Sequence, residues 1–389
     1  MSAKRCRFIS SIVVLLVFIT ACAGGGTKIA VSATETATTA TSVLPTPTLP
    51  HSILPGPVGR VLFTKSVDRG RGAPIDIPDI YIANADGSDQ TLLIRQGQSP
   101  QWSPDGRLIA FACLREGKWD LCIVNADGSG EKRLTDDEKC EHDITWSPDG
   151  QRIAFVKVTG NLELEPNCAA TEAGTKDVYV IDVNKGDSVR LTNTPGVDEY
   201  SLNWEPGRQR LLFSAYDYEA EISAMYLVNA DGSGLERLVD CQEASYGQWS
   251  PDGQRILYRR TNSGLESGLY VMNINADGGV NGTEVLFLSP DPPWHFAWSP
   301  DSQSIAYNGG DGLYVIRAGT KESAYQVANL FFPFPFSWSP DGEWIVFGSK
   351  CNIYVVRRDG SLLLKLTQDY ITGEDTRYCF EKPTWAPNW

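Results

Sequence analysis

Trp146-Ser147-Pro148-Asp149-Gly150-Gln151-Arg152-Ile153-Ala154-Phe155 is one copy of a phrase that recurs along most of the chain. The tryptophans that open it are Trp102, Trp146, Trp204, Trp249, Trp298, Trp338 and Trp385, spaced 44, 58, 45, 49, 40 and 47 residues apart. A period in the forties with four short strands per period is the signature of a β-propeller blade.

Three further columns line up outward from the tryptophan. The first is an apolar trio ending in Phe63, Phe111, Phe155, Phe213, Tyr258, Tyr307 and Phe347. The second is a β-branched and aromatic run centred on Tyr81, Cys122, Tyr179, Tyr226, Tyr270, Tyr314 and Tyr354. The third runs through Leu93, Leu134, Leu191, Leu238, Leu286, Ala328 and Leu366. Short runs of this composition, bounded by Gly, Pro, Asn and Asp, are strands. In Ser-Pro-Asp-Gly the proline suits the second position of a tight turn and the glycine tolerates positive φ. Asn-Ala-Asp-Gly-Ser, at Asn84, Asn125 and Asn229, is a second hairpin turn. It imitates part of a calcium loop but lacks the twelve-residue ligand series and its flanking helices, so no metal site is expected there.

Residues 1–22 read as an export address. Lys4, Arg5 and Arg7 precede an apolar run from Ile9 to Ile19, and Ile19-Thr20-Ala21-Cys22 follows. A charged start, a short apolar core and small residues define a bacterial signal peptide. Its last four residues resemble a lipoprotein cleavage box, which implies lipidation at Cys22. Residues 23–58 are rich in Thr, Ala, Ser and Pro. They cannot bury enough apolar surface to offset ordering, so a disordered tether is expected. The folded part is residues 59–389.

A net charge of −14 argues against nucleic acid, which needs a basic footprint. Seven cysteines lie beyond Cys22, and an exported chain meets an oxidising compartment. Neighbouring positions suggest Cys113–Cys122, Cys140–Cys168 and Cys351–Cys379, leaving Cys241 free. The absence of C-x-x-C favours these bridges over zinc.

The Trp-Ser-Pro-Asp-Gly and Asn-Ala-Asp-Gly-Ser patterns, with Arg-Leu-Thr at Arg133 and Arg190, resemble the TolB-type, WD-like propeller repeat across residues 59–389. The resemblance implies that the Trp strand is innermost and the Arg-Leu-Thr strand outermost. TolB itself has six blades and a preceding α/β domain. Here seven units are counted and a tether stands in that domain's place, which weakens transfer of the Tol-Pal envelope role. The expected fold is therefore all-β, a seven-bladed β-propeller of four-stranded antiparallel blades. The chain starts on a second strand near Arg60 and ends on a Trp strand, so both termini close the last blade and no free edge remains.

Strand order gathers the tight turns on one face and the variable loops on the other, where function usually sits. Residues three and four before each tryptophan ring the channel mouth. Among them His142, Asp143, Tyr200, Tyr246, Trp294, His295 and Lys382 are candidate binding residues. Acids in the same loops, such as Asp136, Asp137, Asp198 and Glu199, form either a solvated face or a site for cations. No H-E-x-x-H pair, G-x-S-x-G elbow or phosphate loop appears, so no catalytic residue, metal or cofactor is assigned. The reading is a non-enzymatic binding or scaffolding module, lipid-anchored outside the cytoplasmic membrane or at the outer membrane. It would recognise an envelope protein or glycan through the upper face. The alternative is a propeller enzyme, a lyase or hydrolase, with its site at the channel mouth.

Overall fold

Each column of β-branched and aromatic residues becomes a strand. The computed structural model describes residues 56–66, 77–137, 139–159, 175–238, 244–261, 267–289, 291–320, 323–330, 334–349, 352–367 and 383–387. All lie in one folded unit, Gly56–Trp389. Among them are 28 strands and no helix. Cys22, Cys168, Cys241, Cys351, Cys379 and Lys382 lie outside the described residues, as do the signal and nearly all of the tether.

The strands form five four-stranded sheets and one eight-stranded sheet. Within each four-stranded set the Trp strand holds one edge and the third-column strand the other. The Trp strands are Gly97–Trp102, Glu141–Trp146, Val197–Trp204, Ala244–Trp249, Phe296–Trp298, Phe334–Trp338 and Thr384–Trp385. The eight-stranded sheet joins the Trp146 and Trp204 sets through a short parallel pairing of Thr175 with Val197 and Lys176 with Asp198. Opposite ends of the chain meet in one antiparallel pairing, Val61 with Trp385 and Leu62 with Thr384. Consecutive Trp strands lie against one another, and Thr384–Trp385 touches both Phe334–Trp338 and Gly97–Trp102.

The core is a series of apolar layers between neighbouring sheets. In one, Leu62, Ile80 and Ile82 pack against Trp102, Ile109 and Phe111. In another, Val61, Phe63 and Trp385 pack against Val346, Ile353 and Val355. The tryptophans also tie sheets by hydrogen bonds. Indole Nε1 of Trp146, Trp204, Trp298 and Trp338 donates to the carbonyl of Gln101, Thr145, Gln248 and Ala297 at 3.2 to 3.3 Å. Each acceptor immediately precedes the tryptophan of the neighbouring Trp strand. A large apolar ring with one donor suits this place, because the buried N–H must find a partner.

The turn face repeats closely. Serine Oγ donates to the Asp two residues on in five Ser-Pro-Asp turns, at 2.5 to 2.7 Å. The same Oγ accepts the backbone N–H five residues on at 2.9 Å in each. The Trp204 turn departs from this: Glu205 replaces serine and accepts two bonds from Arg210, at 2.5 and 3.0 Å.

Across the second and third strands an aromatic pair stacks with centroids 5.5 to 5.9 Å apart in six sets, Phe63–Tyr81 and Phe347–Tyr354 among them. In the Trp102 set Cys122 stands opposite Phe111. Its sulfur is bonded instead to Cys113, with the Cα atoms 5.9 Å apart. Cys140 is also disulfide-bonded.

Candidate functional site

At the end of the Trp strands remote from the tight turns, the backbone does something the pattern of strands does not require. Register slips between Gln98 and Gln101, His142 and Thr145, Tyr200 and Asn203, and Ser245 and Gln248. In each slip two residues oppose one, a β-bulge, which bends the strand and re-aims a side chain. The residue three before the tryptophan sits there in the left-handed region: Ser99 and Asp143 at φ 53°, Ser201 and Tyr246 at φ 57°. Side chains from neighbouring strands satisfy the turned amides. Ser201 N–H donates to Asp143 Oδ2 at 3.1 Å, and Tyr246 N–H to Ser214 Oγ at 2.8 Å. The Trp298 strand has no such bulge; there His295 N–H donates to Asn308 Oδ1 at 2.9 Å.

These ends enclose a cavity of about 530 Å³, within the range of small-ligand pockets. Asp143, Tyr200, Tyr246, Trp294 and His295 line it together. His142 does not. It stays in register opposite Val156 while the bulge turns Asp143 inward, and its Nδ1 lies 3.9 Å from Asp143 Oδ2.

The lining also holds a deeper layer that the sequence reading did not name: Gln101, Gln248, Ala297, Ser337 and Thr384, each one before its tryptophan. The repeat could have found them, because each stands at the same fixed spacing from its tryptophan.

One side of the mouth is aromatic. Tyr200 and Tyr246 lie 5.3 Å apart between centroids, and Tyr246 meets Trp294 edge to face at 5.8 Å. The Trp294 ring is 50% exposed, high for so large an apolar group. Arg259 stacks its guanidinium 3.7 Å from the ring centroid. Burial raises the Tyr200 and Tyr246 hydroxyls above their ordinary pKa, so both remain donors at neutral pH. Burial lowers Arg259, with Asp291 opposing.

The acidic loops are largely matched by cations. Asp136 and Asp120 both meet Arg133 at 2.7 Å, Asp137 pairs with Lys157, Asp177 meets Arg190 at 2.6 Å, and Asp198 meets Lys176 at 3.0 Å. Two of the buried acids are held far above the usual carboxylate range. Burial pushes Glu141 up to about 8, with Asp137 adding to the rise and Lys157 opposing it. Glu199 is likewise pushed up to about 8 by burial, opposed by the hydroxyl of Thr194. Among the described residues no three His, Cys, Asp or Glu gather closely enough to hold a metal ion.

No family model matches the chain. An uncharacterised protein of Agrobacterium fabrum is 25% identical over 222 residues, covering 53% of this chain and 67% of that one. Dipeptidyl-peptidase 5 of Porphyromonas gingivalis is 23% identical over 266 residues, 64% of this chain but 33% of the peptidase. Tol-Pal system protein TolB of Syntrophus aciditrophicus is 43% identical over 65 residues, 17% of this chain and 13% of TolB. This chain therefore spans only a minor part of the last two relatives. Among solved structures, TolB of Acinetobacter baumannii superposes with a TM-score of 0.50 at 18% identity, over 85% of this chain and 67% of that one. The chain has the fold of TolB-type propellers. An oligogalacturonate lyase solved with manganese superposes with a TM-score of 0.57 at 15% identity, over 72% of this chain and 82% of that one. At such identities the likeness extends to the fold alone.

Proposed function

We propose that this protein is an exported, lipid-anchored recognition module whose seven strand sets close into a ring of seven blades. The pairing of Val61 with Trp385 and the serial contacts of the Trp strands support closure. Cys22 would carry the lipid, with residues 23–58 as the tether. Several acyl chains hold a protein at a membrane more firmly than one. The partner is a protein or glycan of the cell envelope; the Tol-Pal proteins among the relatives favour an envelope setting.

One observation carries the reading: Asp143, Tyr200, Tyr246, Trp294 and His295 come from four successive Trp strands and their approaches, and line one cavity. A half-exposed indole beside partly buried tyrosines and polar groups is the composition of an anchoring site. Immobilised protein should capture a partner from envelope extract. Joint substitution Tyr246→Ala and Trp294→Ala should abolish that capture while leaving the melting temperature nearly unchanged. Capture that survives these changes but fails after changes to the Ser-Pro-Asp-Gly turns would put recognition on the opposite face.

A second reading, a lyase or hydrolase acting at the same mouth, is favoured by the peptidase and lyase among the similar proteins. Turnover of a peptide or uronide library by the purified protein, lost in the same double variant, would establish it.

A further inference from the structure

Arg259 is 6% exposed, and among the described residues no acidic side chain forms an ion pair with it. Nε donates to the Pro292 carbonyl at 3.2 Å, and the guanidinium plane stacks on Trp294. Asp291, exposed in the same loop, is the largest charge acting on it but makes no ion pair with it. Among the described residues no carboxylate bonds to it, and its terminal nitrogens are not sealed from solvent. At the corresponding place in the other sets stand Thr64, Ala112, Val156, Ser214, Asn308 and Gly348, none of them charged. A buried, unpaired charge costs several kcal/mol in general, more than a cation–π contact returns. A fold that needed only packing there would not require it.

The charge lies behind one wall of the cavity: Trp294, which lines it and meets Tyr246 edge to face, stacks on the Arg259 guanidinium. We propose that Arg259 is the specificity residue of the mouth and that the group it recognises is a ring-borne carboxylate, a uronate sugar. Guanidinium and carboxylate match as a planar, charge-assisted pair. The half-exposed indole and Tyr246 offer flat apolar area to a sugar ring. Gln101, Gln248, Ser337 and Thr384, deeper in the same cavity, offer amides and hydroxyls to its hydroxyl groups. This inference rests on the mouth being the recognition face and supplies the chemistry of what it recognises.

The test is titration calorimetry of the full chain at low ionic strength with three probes: glucuronate, the neutral glucuronamide, and a dipeptide with a free carboxyl terminus. Glucuronate should bind about tenfold or more tighter than glucuronamide, the range of a charge-assisted hydrogen bond. Arg259→Gln should erase that difference, and Arg259→Lys should restore only part of it, because an ammonium lacks the planar fork. Without ligand, Arg259→Met should melt at or above the parental temperature, since it removes an unpaired buried charge. Should the Arg259 variants fail to fold, Trp294→Ala serves: it should weaken glucuronate binding at unchanged melting temperature. No binding of glucuronate, equal binding of glucuronamide, or a dipeptide that binds as well would overturn the proposal. If partner capture still depends on Tyr246 and Trp294, such a result removes the uronate assignment and leaves the recognition face standing.

Discussion

At one end of the Trp strands the same Ser-Pro-Asp turn recurs with bond lengths that hardly vary; at the other, four bulges of one backbone shape carry Ser99, Asp143, Ser201 and Tyr246. The turn end is local chemistry. A serine hydroxyl, an aspartate and a left-handed residue, glycine in four turns and Ser302 in the fifth, satisfy each other within six residues, so sequence and geometry stay closely coupled. Gly106, Gly150, Gly253 and Gly342 all sit near φ 70°, from 67° to 71°. The mouth end holds non-glycine residues in the same left-handed region, which costs of order 1 kcal/mol or more each. Variation is tolerated there because neighbouring strands supply the hydrogen bonds that hold the bend.

Five measurements would break or sharpen this contrast, the largest effect first. Phe213→Ala removes a ring that is 2% exposed and stacked on Tyr226. It should destabilise by about 3 to 5 kcal/mol in denaturant titration; a loss under about 1 kcal/mol would mean the sheets do not pack tightly there. Cys122→Ser opens the Cys113–Cys122 bridge, nine residues apart. Closing a loop of that size is worth about 2 to 3 kcal/mol. Reducing the parent should cost at least as much, because it also opens the bridge at Cys140.

An effect of another kind, on pH dependence, comes from Glu199. Its folded pKa near 8 lies above its ordinary 4.5. Between those values the folded state holds a proton that the unfolded state has released, so stability falls as pH rises from about 4.5 to about 8. Glu199→Gln should reduce that slope, leaving the part Glu141 contributes, and raise the melting temperature at pH 8 relative to the parent; an unchanged slope would mean the carboxyl is solvated. In the turn face, Ser147→Ala deletes the two Oγ bonds to Asp149 and Arg152 N–H. It should cost about 1 kcal/mol, and the same change at Ser250 should cost about as much. In the mouth, Ser201→Gly relieves the left-handed strain. It should leave stability unchanged or raise it by up to about 1 kcal/mol, against the usual penalty for glycine in a strand. A clear loss would show that the bulge needs the serine side chain.

Much of the strand pattern was legible, since columns of alternating burial repeat every forty-odd residues and each strand needs only its nearest partners. The candidate mouth was legible in part. Counting back from the tryptophans reached Asp143, Tyr200, Tyr246, Trp294 and His295, all of which line the cavity. Counting alone could not choose between His142 and Asp143, because a bulge adds a residue and reverses which of two neighbours faces inward. It also passed over Arg259, whose only signal was a charge in a column of small or uncharged residues.

By itself, then, the sequence determined the strands, their order within each set and the turn chemistry, because those follow from alternation and from bonds spanning a few residues. Tertiary structure alone decided that Glu141 and Glu199 resist ionisation. It also decided that Arg259 stacks on Trp294, which lines a cavity built from separate strand sets. Each of these depends on which surfaces meet across the gaps between sheets. Residues that meet there are tens of positions apart, and no local rule of composition or spacing ranks their contacts.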